Sequence, residues 1–473
     1  MAIDPPNFDA HQNTSINMLG PLGPAYNLLV QYDDQDPSKI VPDLAEKWDV
    51  SPDGNTITFT LRRGVLWHDG KPFTAADVKA TLDRIASPPK GIFSPRAGSF
   101  GAIKEVKVVD DHTVQVALKY PTASLLYNIG VGFNWVLPKH ILDERGDMKK
   151  SVVGTGAFKF TRFMSGVSTD LEKNPQYFAP GLPYLDGITT YVVPDPGARF
   201  AALRTGQLDY IHAYPAITPV EAEIIERDKL PIVVQTTPGL GFRIILPNFK
   251  VKPWDDARVR KAVSIAIDRR GSIQIVEKGW GVAGGPLPPP PGGQWSLPAD
   301  EINKLPGYRY PKDQDIAEAK KLLAEAGYPD GFPAVFMTRN EGLYRDIATF
   351  AAGEVTKIGI KASVRPLERA ASEASLNKAD FQVYAGSNTL TVDDPDQAFG
   401  EHYITGAPLN SGLYSNPKLD ELFQKQSRIL DPQERKKVVW EMSRIVLEDN
   451  PKIVLDWKVD VIAHKDYVKG YKI

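Results

Sequence analysis

VPDLAEKWDVSPDGNTITFTLRRGVLWHDGKPFTAADV, residues Val41–Val78, decides how this chain is read. Leu44, Ala45 and Trp48 recur at i, i+1 and i+4, which predicts one apolar stripe on a short helix. Asp53-Gly54 is a turn dipeptide, because Gly accepts positive φ and Asp bonds its own backbone. Ile57, Phe59 and Leu61 alternate with Thr56, Thr58 and Thr60, the pattern of a half-buried strand. Asp69-Gly70 makes a second turn, and Thr74 caps a helix carrying Val78, Leu82 and Ile85 on one face. No element of the stretch holds catalytic side chains in a catalytic arrangement.

Composition sets the outer bounds. A chain of 473 residues is long enough for two or three domains. Its 42% hydrophobic and 24% charged residues are ordinary for a soluble globular protein. A net charge of -2, with dispersed Lys and Arg, gives no footprint for nucleic acid or an anionic membrane. No apolar run reaches the roughly 20 residues that span a bilayer. The absence of cysteine excludes disulfides, thiolate metal sites and Cys nucleophiles.

Working outward, Val106–Leu118 reads as a hairpin turning at Asp110-Asp111, and Gly154-Thr155-Gly156 as a tight turn into a strand. Ile188–Val193 is β-rich, and a helix over Pro196–Thr205 stops at Gly206. Phe242–Leu246 is a short β-rich run, and Asp255–Asp268 a helix. GGPLPPPPGG, 284–293, can be neither helix nor mid-sheet; it reads as an extended loop crossing the surface. Helices follow over Asp315–Ala326, Tyr344–Ile358 and Pro417–Leu430, and a fourth opens at Asp431-Pro432-Gln433-Glu434. Strands at Ile360–Val364, Phe381–Ala385 and Ile453–Trp457 lie between and after them. This mixture argues an α/β fold.

These segments, in this order, resemble the extracellular solute-binding proteins of family 5, which deliver peptides, opines and nickel chelates to ABC importers. IDPPNFDAH near the start, the stretch quoted above, GTGAFKF (154–160), YLDGITTYVVPDPGARFAALRTGQLDY (184–210), PWDDARVRKAVSIAIDR (253–269), AEAKKLLAEAGYPDGF (317–332), SNPKLDELFQKQ and DPQERKKVVWEMSRIVLEDNPKIVL carry the likeness. It implies a bilobal periplasmic-binding-protein fold, type II-like and of the large cluster C class, with an extra subdomain on lobe I. Lobe I would take 1–24, 154–241 and 456–473, the subdomain 25–153, and lobe II 242–455. It further implies a periplasmic monomer that closes on a small solute and meets a membrane permease and ATPase, with no cofactor and no nucleic acid. In the family a signal peptide and a first strand precede IDPPNFDAH; both are expected to be missing from this sequence.

The resemblance also nominates ligand-binding residues. Thr14, Ser15 and Ile16 match the segment that runs beside the ligand; Phe242 and Arg243 lie on one hinge strand and Trp457 on the other. Trp295 follows the proline-rich loop. Peptide-binding members carry an ammonium-anchoring carboxylate after a "G-W-x-x-D" strand. Counting from Phe381 puts Thr391 at that carboxylate and Asn388 at the aromatic, with Thr389 between and Asp393 two residues on. A hydroxyl cannot replace a buried ion pair, so the implied ligand is neutral or anionic rather than an ordinary zwitterionic peptide. Arg369, where an aromatic is usual, would offer a guanidinium fork to an anion, or is simply a solvated surface Arg. For the aromatics the plainer reading is core packing.

Other classes find less in the residues. G-x-S-x-G, H-E-x-x-H and a phosphate loop are absent, and the seven histidines are scattered. A carboxylate-pair hydrolase stays open, since nothing selects two of 58 acids. A nickel-type metal-chelate carrier of the same fold stays open too, as does a chemoreceptor or chaperone partner.

Overall fold

The computed structural model describes every residue except 2, 14, 34–38, 123, 212–215 and 471–473. Two compact units emerge. Unit 1 comprises Met1–Ile217, Asp228–Val234 and the chain from Ile462; unit 2 comprises Thr218–Arg227 and Gln235–Val461.

Unit 1 holds a four-stranded antiparallel sheet, β1 (Ala45–Val50), β2 (Thr56–Leu61), β3 (Ile103–Asp110) and β4 (Thr113–Leu118), in the order β1-β2-β4-β3. Ile57, Phe59 and Leu61 of β2 and Val114, Val116 and Leu118 of β4 face one way. They bury against Val78, Leu82 and Ile85 of helix α1 (Ala75–Ala86). Each such side chain contributes about 1.5–3 kcal/mol on burial. Asp77 fastens the helix start: its carboxylate accepts from the Thr74 amide at 2.9 Å and the Lys139 amide at 2.8 Å. Val106–Leu118 folds as the expected hairpin.

The short helix expected at Leu44–Trp48 is instead the strand β1. A bulge between Ala45 and Lys47 inserts an extra residue, so the buried Ala45 and half-buried Trp48 share a face three residues apart. That spacing imitates a helical stripe, and pairing of Trp48 with Phe59 overrides it.

The Gly154-Thr155-Gly156 turn passes so close to Ala25 that a Cβ at Gly154 would stand 1.7 Å from its carbonyl oxygen. His68 clasps this turn, Nδ1 accepting from the Gly154 amide at 3.3 Å and Nε2 donating to the Gly156 carbonyl at 3.0 Å. The turn leads into a three-stranded meander, β5 (Phe158–Met164), β6 (Ser168–Lys173) and β7 (Gly187–Tyr191).

Unit 2 is built on a sheet in which β8 (Ile232–Pro247), β9 (Pro333–Arg339), β10 (Lys361–Leu367), β11 (Val383–Thr389) and β12 (Ile453–Lys465) lie in the order β10-β9-β11-β8-β12. β8 and β12 are also the strands in which the chain passes from one unit to the other. β9 runs parallel to both β10 and β11, whereas β8 is antiparallel to β11. Alternation sends Ile245, Phe336, Val383 and Ala385 to one face. There they meet helices α2 (Ala257–Ala266), α3 (Asp313–Glu325) and α4 (Gly342–Thr356). Phe242, Ile244, Leu246, Met337 and Tyr384 go to the other. There they meet α5 (Arg369–Asn377), α6 (Pro395–His402), α7 (Pro417–Gln426) and α8 (Pro432–Asp449). Helices cover both faces, as parallel strands require.

The proline-rich loop is irregular, as expected, but it does not cross the surface: residues 284–289 are buried. Prolines bring no N–H groups to bury unpaired. The carbonyls of Gly284 and Gly285 are met by the Tyr308 hydroxyl and the Trp457 indole, each at 3.0 Å.

Candidate functional site

The connections of unit 2 point to a candidate site. From β9 the chain goes through α4 on one face to β10, then through α5 on the other face, past β9, to β11. The order thus reverses at β9, and in α/β sheets ligands sit outside the carboxyl ends of the strands at such a point. At the end of β11 stand Asn388 and Thr389, followed by residues 390–394 and helix α6.

This connection is tightly braced. Gln397, in the first turn of α6, turns its Oε1 toward the amides of Thr391 (2.8 Å) and Val392 (2.9 Å). Its Nε2 then donates to the Thr391 hydroxyl at 2.7 Å. Asp394 is the N-cap of α6, accepting from the Asp396 amide, and Pro395 fills the first helical position. The same carboxylate takes a two-pronged grip from Arg435 of α8, both bonds 2.8 Å, with both side chains buried. Burial pushes the Asp394 carboxyl up and Arg435 opposes it. Arg435 also lies 4.8 Å from the centre of the Trp295 ring, and Trp295 donates its indole N–H to the Asp393 carbonyl at 3.1 Å. Asp393 accepts from the Gln294 amide at 2.8 Å with Oδ2, while Oδ1 is buried without a partner among the described residues. Burial raises its pKa to about 7.

Behind Asn388 lies a buried basic group. Lys452 donates to His402 Nδ1 at 2.7 Å and to Asn388 Oδ1 at 3.3 Å, beside the Tyr403 ring. Burial lowers the Lys452 pKa to about 7 and holds His402 far below its ordinary value. A second buried group, Asp456 of β12, accepts from the Ser272 hydroxyl close to the Arg243–Glu277 pair; burial first, then the Glu277 charge, raise it to about 7.

The nominated residues separate by environment. Asn388 is half-buried, and Thr389 and Thr391 are exposed at the strand end. Phe242, Trp295 and Trp457 are buried in the core of unit 2, with Phe242 stacked on Trp457 at 4.6 Å. Arg243 is buried and paired with Glu277 at 2.6 Å, its NH1 also reaching the Ser387 hydroxyl. Arg369 is exposed and tied to Glu373 one turn along its own helix at 3.0 Å, a solvated pair worth little. Ser15 lies before a 3-10 turn in unit 1; Thr14 and the Ile16 side chain fall outside the described residues. Sequence reasoning missed Gln397, His402, Arg435 and Lys452. Only α6 left a signal, the Asp394-Pro395 pair.

The arrangement offers hydrogen bonds without a nucleophile–base pair, and among the described residues no group of three His, Cys, Asp or Glu could hold a metal ion. The model of the bacterial extracellular solute-binding proteins, family 5, matches residues 39–408. The chain belongs to that family. The Glutathione-binding protein GsiB of Salmonella choleraesuis is 30% identical to this family member, over 91% of the chain and 83% of GsiB. Its Escherichia coli K12 counterpart is 29% identical over the same shares. Among solved structures, the periplasmic binding protein DppA of Helicobacter pylori, in complex with peptide STSA, superposes with a TM-score of 0.82 at 29% identity, covering 100% of this chain and 94% of DppA. AgaA of Agrobacterium, in complex with agropinic acid, gives 0.80 at 25% identity, covering 100% and 93%. This family-5 protein is therefore a solute-binding component of an ABC importer, with the bilobal fold of its relatives. Family and relatives are binding proteins of transporters rather than enzymes, and the metal-chelate and hydrolase alternatives are not favoured.

Proposed function

We propose that this protein captures a short peptide or peptide-like solute, with glutathione the first to test, and presents it to a membrane permease and its ATPase from the periplasm. The likeness to GsiB over nine-tenths of the chain supports that ligand class, and so does the polar strand end of β11. Asn388, Thr389 and Thr391 are its ligand-facing residues in this reading, Asp393 braces the loop behind them, and Thr14, Ser15 and Ile16 are contacts that the family resemblance nominates. Phe242, Arg243, Trp295 and Trp457 support the site from within the core. Capture proceeds by domain closure, in which the solute favours a closed state through its differential affinity. The protein acts as a monomer, with lobe I, its subdomain and lobe II divided as the family resemblance implies.

Isothermal titration against glutathione, di- and tripeptides and opines tests the ligand class, and small-angle scattering tests closure. Submicromolar binding with a smaller radius of gyration is expected. Binding of a nickel chelate in place of every peptide, or an unchanged radius, would refute it.

A further inference from the structure

The hydrogen-bond directions at the end of β11 are fixed by their partners. Backbone amides only donate, so Gln397 must turn its oxygen to Thr391 and Val392 and its NH2 to the Thr391 hydroxyl. The Thr391 oxygen accepts there, leaving its own hydrogen for an outside acceptor. At Asn388 the same logic holds. An ammonium donates and never accepts, so Lys452 fixes Oδ1 inward and leaves the Asn388 NH2 facing out of the core. That NH2 has no partner among the described residues, and the side chain is half-buried.

Both free groups are donors, and the buried group that Asn388 touches is a lysine. Among the described residues no carboxylate hydrogen-bonds to Lys452: its contacts are His402, Asn388 and the face of Tyr403, and the Glu401 charge acts on it from further off. The acids nearby each have other hydrogen-bond partners. Glu401 receives the second Gln397 N–H at 3.3 Å, Asp394 is held by Arg435, and Asp393 is bonded to the Gln294 amide.

We propose that Asn388 and Thr391 form a donor rim that binds a carboxylate of the solute, with Lys452 behind it fixing the Asn388 amide and Gln397 orienting the Thr391 hydroxyl. The inference deepens the peptide-like reading of the same site and rests on it. It assigns this strand end to an acceptor group of the ligand, and so makes Asn388 and Thr391 specificity-determining residues and Gln397 a positioning residue.

The test is titration calorimetry with two probes, glutathione and trialanine, each as the free acid and as its C-terminal amide. The free acid of at least one should bind about tenfold or more tightly than its amide, as expected for hydrogen bonds to a charged group. Asn388→Asp should erase that preference by weakening the acid while sparing the amide. Thr391→Val should reduce it, and Thr391→Ser, which keeps the hydroxyl, should restore it. Thermal unfolding of each variant checks that it is folded. Equal affinity for acid and amide, or a preference that survives Asn388→Asp, would overturn the rim alone. No binding by any of the four probes would overturn the peptide-like reading and the rim with it.

Discussion

Replacing Arg435 by Met tests the brace beneath the site. Arg435 and Asp394 are 1% and 2% exposed and joined by two bonds of 2.8 Å. Met keeps much of the volume and the stack on Trp295 but abandons a buried carboxylate. Breaking such a pair from one side costs about 3–5 kcal/mol, because the remaining charge is stranded. Loss of the Arg435 bond to Gln426, 2.8 Å long, adds to this. Asp394 would respond by taking up a proton, since burial already pushes its pKa up. Without Arg435 its folded pKa would lie still further above the unfolded one, so the loss should be greatest near pH 7 and shrink toward pH 5. In a unit of this size 1 kcal/mol moves the melting temperature by about 2–4 °C, so a fall of roughly 6–20 °C is expected. Calorimetric melting of wild type, Arg435→Met and the double variant Asp394→Asn/Arg435→Met decides it. The double variant should recover much of the loss, having no charge to strand. A single variant that melts within 2 °C of wild type, or a double variant no better than the single, would refute the argument.

Four further outcomes are expected. Asp456 and Asp393, each raised to about 7 chiefly by burial, bind protons more tightly folded than unfolded. They stabilise fully below about pH 4, and that stability fades as the pH rises to about 7; urea midpoints at pH 4.5 and 7.5 should therefore converge in Asp456→Asn. Gly156→Ala would place a Cβ 2.4 Å from the Ala25 carbonyl carbon and should cost unit 1 more than about 3 kcal/mol in urea unfolding. Trp457→Ala empties a fully buried site and should lower stability by about 3–5 kcal/mol in the same assay. Gln397→Leu leaves the Thr391 and Val392 amides unmet; titration should give at least about fivefold weaker solute binding, with about 1–3 kcal/mol lost in unfolding.

Much of the architecture was legible because it rests on local patterns. The alternation in Thr56–Leu61 and Val106–Leu118, the Gly206 stop and the Asp431-Pro432 start all write their structure into a few neighbouring residues. The failures occurred where distant partners decide. The bulge in Ala45–Val50 disguised a strand, and the burial of the proline-rich loop depends on Trp457 and Tyr308, more than 20 residues away. The candidate site was legible only in its nominated strand end. Counting along β11 nominated Asn388, Thr389 and Thr391, but the residues that brace them lie on α6, α8 and just before β12. Lys452 has no local mark at all: its meaning comes from what surrounds it once the chain is folded.

In unit 2 the layers divide labour. The sandwiched sheet interior and the Asp394–Arg435 clamp have no slack for substitution, whereas the β11 tip projects three small polar side chains beyond the packed layers. If the proposed site is right, altering those tips should change which guest is welcomed while leaving the stack of helices and strands intact. The same fold holds peptide STSA in one relative and agropinic acid in another.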